Sequence, residues 1–232
     1  MDNSPTASTP ATTAAEADLD GLVFEIDGDV ARAPAAVPSG LVEVTFVNRG
    51  QTSHGAFNSD TAIRHGIFLM PGELARGIVE FDAGSEYVFE ALLPPFAGGE
   101  DDFSVSDEVS GTTAPDPDVS VGLAEFTFSL PAILSAGSEW WALGNTGEQN
   151  HDIGIYSLEG RTLEELISEI EFVDPWEHQT VVPTWVVGPQ ETVYANIELA
   201  VGNYGLICRV PDDASSRRHF QLGMVAEITV EE

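Results

Sequence analysis

Residues 202–224 read GNYGLICRVPDDASSRRHFQLGM, and the reading of this stretch decides the fold. Tyr204 to Cys208 is an apolar run of strand length, and Pro211 closes it off. A polar loop rich in Asp, Ser and Arg follows, and the stretch ends on His219 and on Gly223-Met224. Cys208 is the single cysteine of the chain. An internal disulfide and any multi-cysteine zinc or iron–sulfur site are therefore excluded.

The same pattern occurs earlier in the chain. Tyr87-x3-Ala91-x2-Pro94 lines up with Tyr204-x3-Cys208-x2-Pro211. Val79-Glu80-Phe81 lines up with Ile197-Glu198-Leu199, and Asn48-x-Gly50-x3-His54 with Asn145-x-Gly147-x3-His151. Three matches in the same order describe two copies of one unit. Both copies read as strands. Val42, Val44 and Phe46 alternate with Glu43 and Thr45, and Ala124, Phe126, Phe128 and Leu130 alternate with Glu125, Thr127 and Ser129. Alternation of this kind marks strands with one buried face. Pro71-Gly72, Asn145-Thr146-Gly147 and Gly188-Pro189 mark turns between such runs. One helix is expected, where Leu163, Leu166, Ile167 and Ile170 follow helical spacing behind a Thr162/Glu165 capping box. The expected fold class is all-β, two β-sandwiches with one short helix in the second. The expected boundaries are a Ser/Thr/Pro/Ala-rich disordered tail over 1–20, a first sandwich over 21–97, an acidic linker over 98–118, and a second sandwich over 119–232.

Four residues of the second copy carry chemistry: His151, Cys208, His219 and Met224. Two imidazoles, a thiolate and a weak thioether suit copper that shuttles between Cu(I) and Cu(II). Thiolate softness holds Cu(I), imidazole suits Cu(II), and a trigonal arrangement lies close to both preferences. The motif Gly202-x-Tyr204-x3-Cys208-x2-Pro211 with His219-x4-Met224 resembles the copper loop of the cupredoxins, the blue-copper family, and Asn145-x-Gly147-x3-His151 resembles their first ligand strand. The resemblance covers 119–232 well and 21–97 weakly. It implies two cupredoxin-like Greek-key sandwiches, with one type 1 copper in the second. His151, Cys208 and His219 would be equatorial ligands and Met224 axial, and His219 would form an exposed edge for electron passage. There are two departures from the family pattern. The ten residues between Cys208 and His219 make a long loop; its closure entropy is small, under about 1 kcal/mol for a doubling, but a looser geometry is expected. Asp152 stands where many cupredoxins have Asn, which is expected to add negative charge near the metal and lower its potential. The first copy has Ala91 in place of Cys208 and is expected to hold no copper. His65-x4-Met70 is taken as a chance match, and His54, His65 and His178 as surface or loop residues. Arg209, Arg217 and Arg218 either rim the site as a docking patch for an acidic partner or pair with Asp212 and Asp213. Trp140, Trp141 and Trp185 are expected in the core.

Composition bounds the remainder. Thirty-nine acidic residues face eight basic ones, all Arg with no Lys, for a formal net charge of −31. Such a field repels phosphate backbones and anionic membranes, so nucleic acid is excluded as a main partner. The chain resembles haloarchaeal proteins, whose acidic surfaces are screened where the Debye length is roughly 3 Å. The 1–20 tail resembles the tether of surface lipoproteins, with Met1 in place of a removed signal and anchor. An extracellular or cell-surface location, a possible membrane tether and a monomeric state are expected. The functional expectation is electron transfer to a redox partner protein without enzymatic turnover. The alternatives are a metal-free cupredoxin-like surface or scaffold module and a copper-trafficking protein.

Overall fold

The computed structural model describes residues 19, 21–52, 54–59, 63–93, 96–172 and 180–232. The first half runs β1 (Leu22–Asp27), β2 (Val30–Arg32), β3 (Ala36–Asn48), β4 (His54–Ser59), β5 (Ile63–Leu69), β6 (Leu74–Phe81), β7 (Glu86–Leu93) and β8 (Phe96–Val109). The second half runs β9 (Val119–Ala124), β10 (Thr127–Ser129), β11 (Ile133–Ser135), β12 (Gly137–Asn145), β13 (His151–Ser157), α1 (Leu163–Phe172), β14 (Thr184–Val187), β15 (Thr192–Leu199), β16 (Gly202–Ile207) and β17 (Val225–Glu231). Each half is a β-sandwich of the cupredoxin-like kind. One layer holds β1–β3–β6 in the first half and β9–β12–β15 in the second, each opening with a parallel pair, β1 with β3 and β9 with β12. The other holds β5–β4–β7–β8 and β14–β13–β16–β17.

The registers repeat the internal homology residue by residue. Asn58 opposes Phe89 in the first half as Ile155 opposes Leu206 in the second. The register puts fully buried Ala91 at the position of Cys208. The Asn-x-Gly motif does identical work in both copies. Asn48 Nδ2 donates to the Thr52 and Leu69 carbonyls, and its Oδ1 accepts the Gly50 N–H. Asn145 Nδ2 donates to the Gln149 and Val187 carbonyls, and its Oδ1 accepts the Gly147 N–H. A buried amide with all three bonds made fixes the loop ahead of the first-ligand strand.

Both layers continue across the two halves. β5 pairs antiparallel with β14 about Ile67 and Trp185, and β6 pairs with β15 about Gly77 and Ala195. A Cβ on Gly77 would lie 2.6 Å from the Trp185 ring, so only glycine lets the sheet close over this indole. Trp185 packs edge-on to Phe46, with centroids 5.8 Å apart, joining the first half's aromatic core of Phe24, Phe81, Phe89 and Phe103. Arg64 of the first half pairs with Glu191 of the second at 2.6 Å. Trp141 and Trp185 are buried and Trp140 half-buried. The helix forms as expected: Glu165 N–H donates to Thr162 Oγ1 and Thr162 N–H to Glu165 Oε2. Its Leu166 and Ile170 pack on Tyr156, Leu158, Ile207 and Phe220.

Two expectations are corrected here. Most of the stretch assigned to an acidic linker is strand. Residues 98–109 belong to β8, which pairs with β7 and β3; buried Phe103 and Val105 anchor it, Asp101 accepts the Ala33 N–H, and Glu100, Asp102, Asp107 and Glu108 are exposed. The connection between sandwiches is the short segment after Val109. His65 is no surface residue either: it lies in β5 at 2% exposure, edge-on to Phe81. Tail residues 1–18 and His178 lie outside the described residues, as does the His54 side chain.

Candidate metal centre

Three of the four sequence-derived donors converge. His151 opens β13, Cys208 follows the last residue of β16, and His219 opens the 3-10 turn His219–Leu222. All three are 0% exposed. The two Nδ1 atoms lie 3.1 Å apart, and Cys208 Sγ lies 3.4 Å from that of His219 and 3.9 Å from that of His151. The in-plane point equidistant from atoms so spaced is about 2.0 Å from each, against roughly 2.0–2.1 Å for a zinc–imidazole bond and roughly 2.3 Å for zinc–thiolate. Among the described residues this is the one cluster of three such donors.

Neighbouring groups face the outer nitrogens of both rings. His219 Nε2 faces Gln149 Oε1 at 3.4 Å, and Gln149 is held by Asp213 N–H at 2.9 Å and by its own Nε2 on Asp212 Oδ1 at 3.1 Å. His151 Nε2 faces Glu125 Oε1 at 3.8 Å. The Gln149 acceptor on the outer side of the His219 ring favours Nε2–H there and leaves the His219 Nδ1 lone pair pointing inward, while the buried His151 Nε2 makes no hydrogen bond. Burial, reinforced by the neighbouring His219, lowers the His151 pKa to about 4, and burial lowers that of His219. Burial, reinforced by the Asp152 carboxylate, raises the Cys208 thiol well above its ordinary value. Two neutral imidazoles and a thiol with converging lone pairs form a site that a cation completes, with loss of the thiol proton.

The long Cys208–His219 loop is tighter than expected. Its base zips shut: His219 N–H donates to the Val210 carbonyl, Phe220 N–H to the Cys208 carbonyl, and Pro211 pairs with Arg218. Asp212 caps the tip through Ser215 N–H and Oγ. The extra residues thus form a closed hairpin, and the donors keep their spacing. Gly223, at φ 110°, ends the 3-10 turn in the left-handed region and returns the chain to Met224. Fully buried Met224 bridges the loop, donating its N–H to His219 and accepting the Cys208 N–H.

Other expectations change. His219 is covered rather than exposed. Phe126, at the β9–β10 turn with φ 60°, packs edge-on to its ring, with centroids 5.3 Å apart. Asp152 N–H donates to Cys208 Sγ at 3.3 Å. Its carboxylate is not an uncompensated charge, because it accepts both the N–H and Nε of Arg209. Arg209 is buried and belongs neither to a surface patch nor to a pair with Asp212 or Asp213. Arg217 and Arg218 instead donate to the Gln221 and Arg209 carbonyls, tying the loop. Glu125, Phe126 and Gln149 are site residues that sequence reading passed over, and Arg209 is one it expected at the surface. Gln149, two positions ahead of a proposed ligand, offered the nearest signal.

Two sandwiches of this topology, the second carrying His, Cys and His in a buried triangle, make a cupredoxin-like fold with one candidate metal centre among the described residues. The donor set is that of type 1 copper, soft thiolate with two imidazoles. No family model and no curated protein matches the chain. Among solved structures, a multicopper oxidase from Pediococcus acidilactici is similar over 91% of this chain and 58% of its own, at 15% identity and a TM-score of 0.33. Dithionite-reduced auracyanin from Roseiflexus castenholzii is similar over 49% of this chain and 95% of its own, at 19% identity and a TM-score of 0.35. A copper-containing nitrite reductase from Thermus scotoductus covers 90% and 61%, at 13% identity and a TM-score of 0.28. At such scores the weight rests on the chain's own topology and donor geometry.

Proposed function

We propose that this is an electron-transfer protein carrying one type 1 copper in its second sandwich, which His151, Cys208, His219 and Met224 would hold. The buried triangle of His151, Cys208 and His219 carries this reading. Copper bound there would supply a one-electron couple between Cu(I) and Cu(II). The protein's part is to hold the donors still. Asn145 fixes the approach to His151, the zipped loop fixes Cys208 against His219, and Asp152 N–H stabilises the sulfur. Phe126 over His219 leaves little room for a substrate at the donors, which supports a carrier rather than an enzyme. Work in high salt fits the −31 net charge, and a place at the cell surface fits the resemblance of the 1–20 tail to a lipoprotein tether. Voltammetry of the copper-loaded chain tests the reading. A reversible one-electron wave, unchanged by oxygen or nitrite, is expected; a catalytic current with either points to an enzyme.

A further inference from the structure

The Arg209–Asp152 pair lies immediately behind Cys208 and reaches into the other sandwich. Asp152 donates its N–H to Cys208 Sγ, and its two carboxylate oxygens take the Arg209 N–H at 2.6 Å and Nε at 3.1 Å. Cys208, Arg209 and Asp152 thus close one small ring of bonds. The side chains are 7% and 2% exposed, so the pair has left bulk water. The guanidinium carbon sits 5.3 Å from the centroid of the Phe68 ring. Phe68 belongs to β5 of the first sandwich, where it opposes Thr184 of β14. Arg, with a planar face to stack and an Nε–H to donate, can serve both contacts at once. In the first half the equivalent positions are Gly55 and Leu92, which oppose each other in β4 and β7. The ion pair occurs only in the copy that has the thiol.

Resting on the copper reading above, we propose that Arg209 is a positioning residue for the metal site and the route by which the first sandwich acts on it. A buried carboxylate beside the thiolate would favour Cu(II); the guanidinium cancels that charge and pins Asp152 where its N–H meets the sulfur. Phe68 fixes the guanidinium, so the half without ligands contributes a wall of the redox site.

The test is spectroelectrochemistry of the full copper-loaded chain, paired with thermal unfolding of the copper-free chain, for wild type, Arg209→Met, Phe68→Ala and Asp152→Asn/Arg209→Met. Arg209→Met should lower both the reduction potential and the Tm, because a buried carboxylate loses its partner. The double variant should restore both, since no unpaired charge remains. Phe68→Ala should shift the potential in the direction of Arg209→Met by a smaller amount. If Arg209→Met does not fold, the double variant and Phe68→Ala decide. Potentials equal to wild type in every variant that keeps the visible band overturn the proposal. A fall in Arg209→Met without any shift in Phe68→Ala overturns the role of the first sandwich. Absence of a visible band in wild type itself overturns the copper reading, a distinct result.

Discussion

Acid should loosen the junction between the two sandwiches through His65. This imidazole is buried in β5, edge-on to Phe81 and opposite Val187 of the other half. Burial, with the Arg64 guanidinium beside it, lowers its pKa from 6.5 to about 3. In the unfolded chain it titrates near the ordinary value. A folded pKa below the unfolded one means that the unfolded state takes the proton first. Stability is thus complete above about pH 6.5 and declines as pH falls toward 3. Each unit in that window costs about 1.4 kcal/mol, so moving from pH 7 to pH 5 costs about 2 kcal/mol. For a chain of this length that is a fall of about 4–8 °C in Tm. Melting curves of the copper-free protein at both pH values, for wild type and His65→Phe, measure it. Phe sits among the same aromatics and does not titrate. The acidic surface, His151 and His219 are common to both proteins, so the difference between their acid shifts isolates His65. Equal shifts in wild type and His65→Phe would refute the reasoning.

Three further outcomes are expected. Unfolding midpoints should rise from low to multimolar potassium chloride, because screening relieves the self-repulsion of a net charge of −31; a flat or falling series contradicts the high-salt adaptation. Phe126→Ala should let added imidazole or azide perturb the visible spectrum of the copper protein while wild type stays inert, because Phe126 covers His219. Met224→Leu should keep the colour and raise the reduction potential, since losing a weak axial donor destabilises Cu(II) more than Cu(I); an unchanged potential removes Met224 from the ligand set.

The donors and the repeat were legible because each is written locally. The Cys208-x2-Pro211 and Asn145-x-Gly147 motifs sit at strand ends, and the same registers recur in both halves. What was hidden depends on residues distant in sequence. Phe126 covers His219 from a turn that the sequence shows only as ordinary alternation, and its left-handed backbone is not visible in residue type. Arg209 looked like part of a basic cluster with Arg217 and Arg218, yet its partner lies across the sheet at Asp152. Strand β8 was masked by its own acids. Buried Phe103 and Val105 alternate there with outward polar groups, but charge density alone suggested a linker. The pairing of β5 with β14 leaves no compositional mark, since edge strands that meet another half look like any other strands.

Titration of the copper-free chain with Cu(II), followed by visible absorption in parallel with Cys208→Ala, bears most directly on the copper site. An intense thiolate charge-transfer band saturating at one equivalent in wild type and absent in Cys208→Ala is the expected result, because among the described residues only this thiol joins two imidazoles. No band in wild type, or one that survives the loss of Cys208, would contradict the assignment of His151, Cys208 and His219 as a type 1 copper centre.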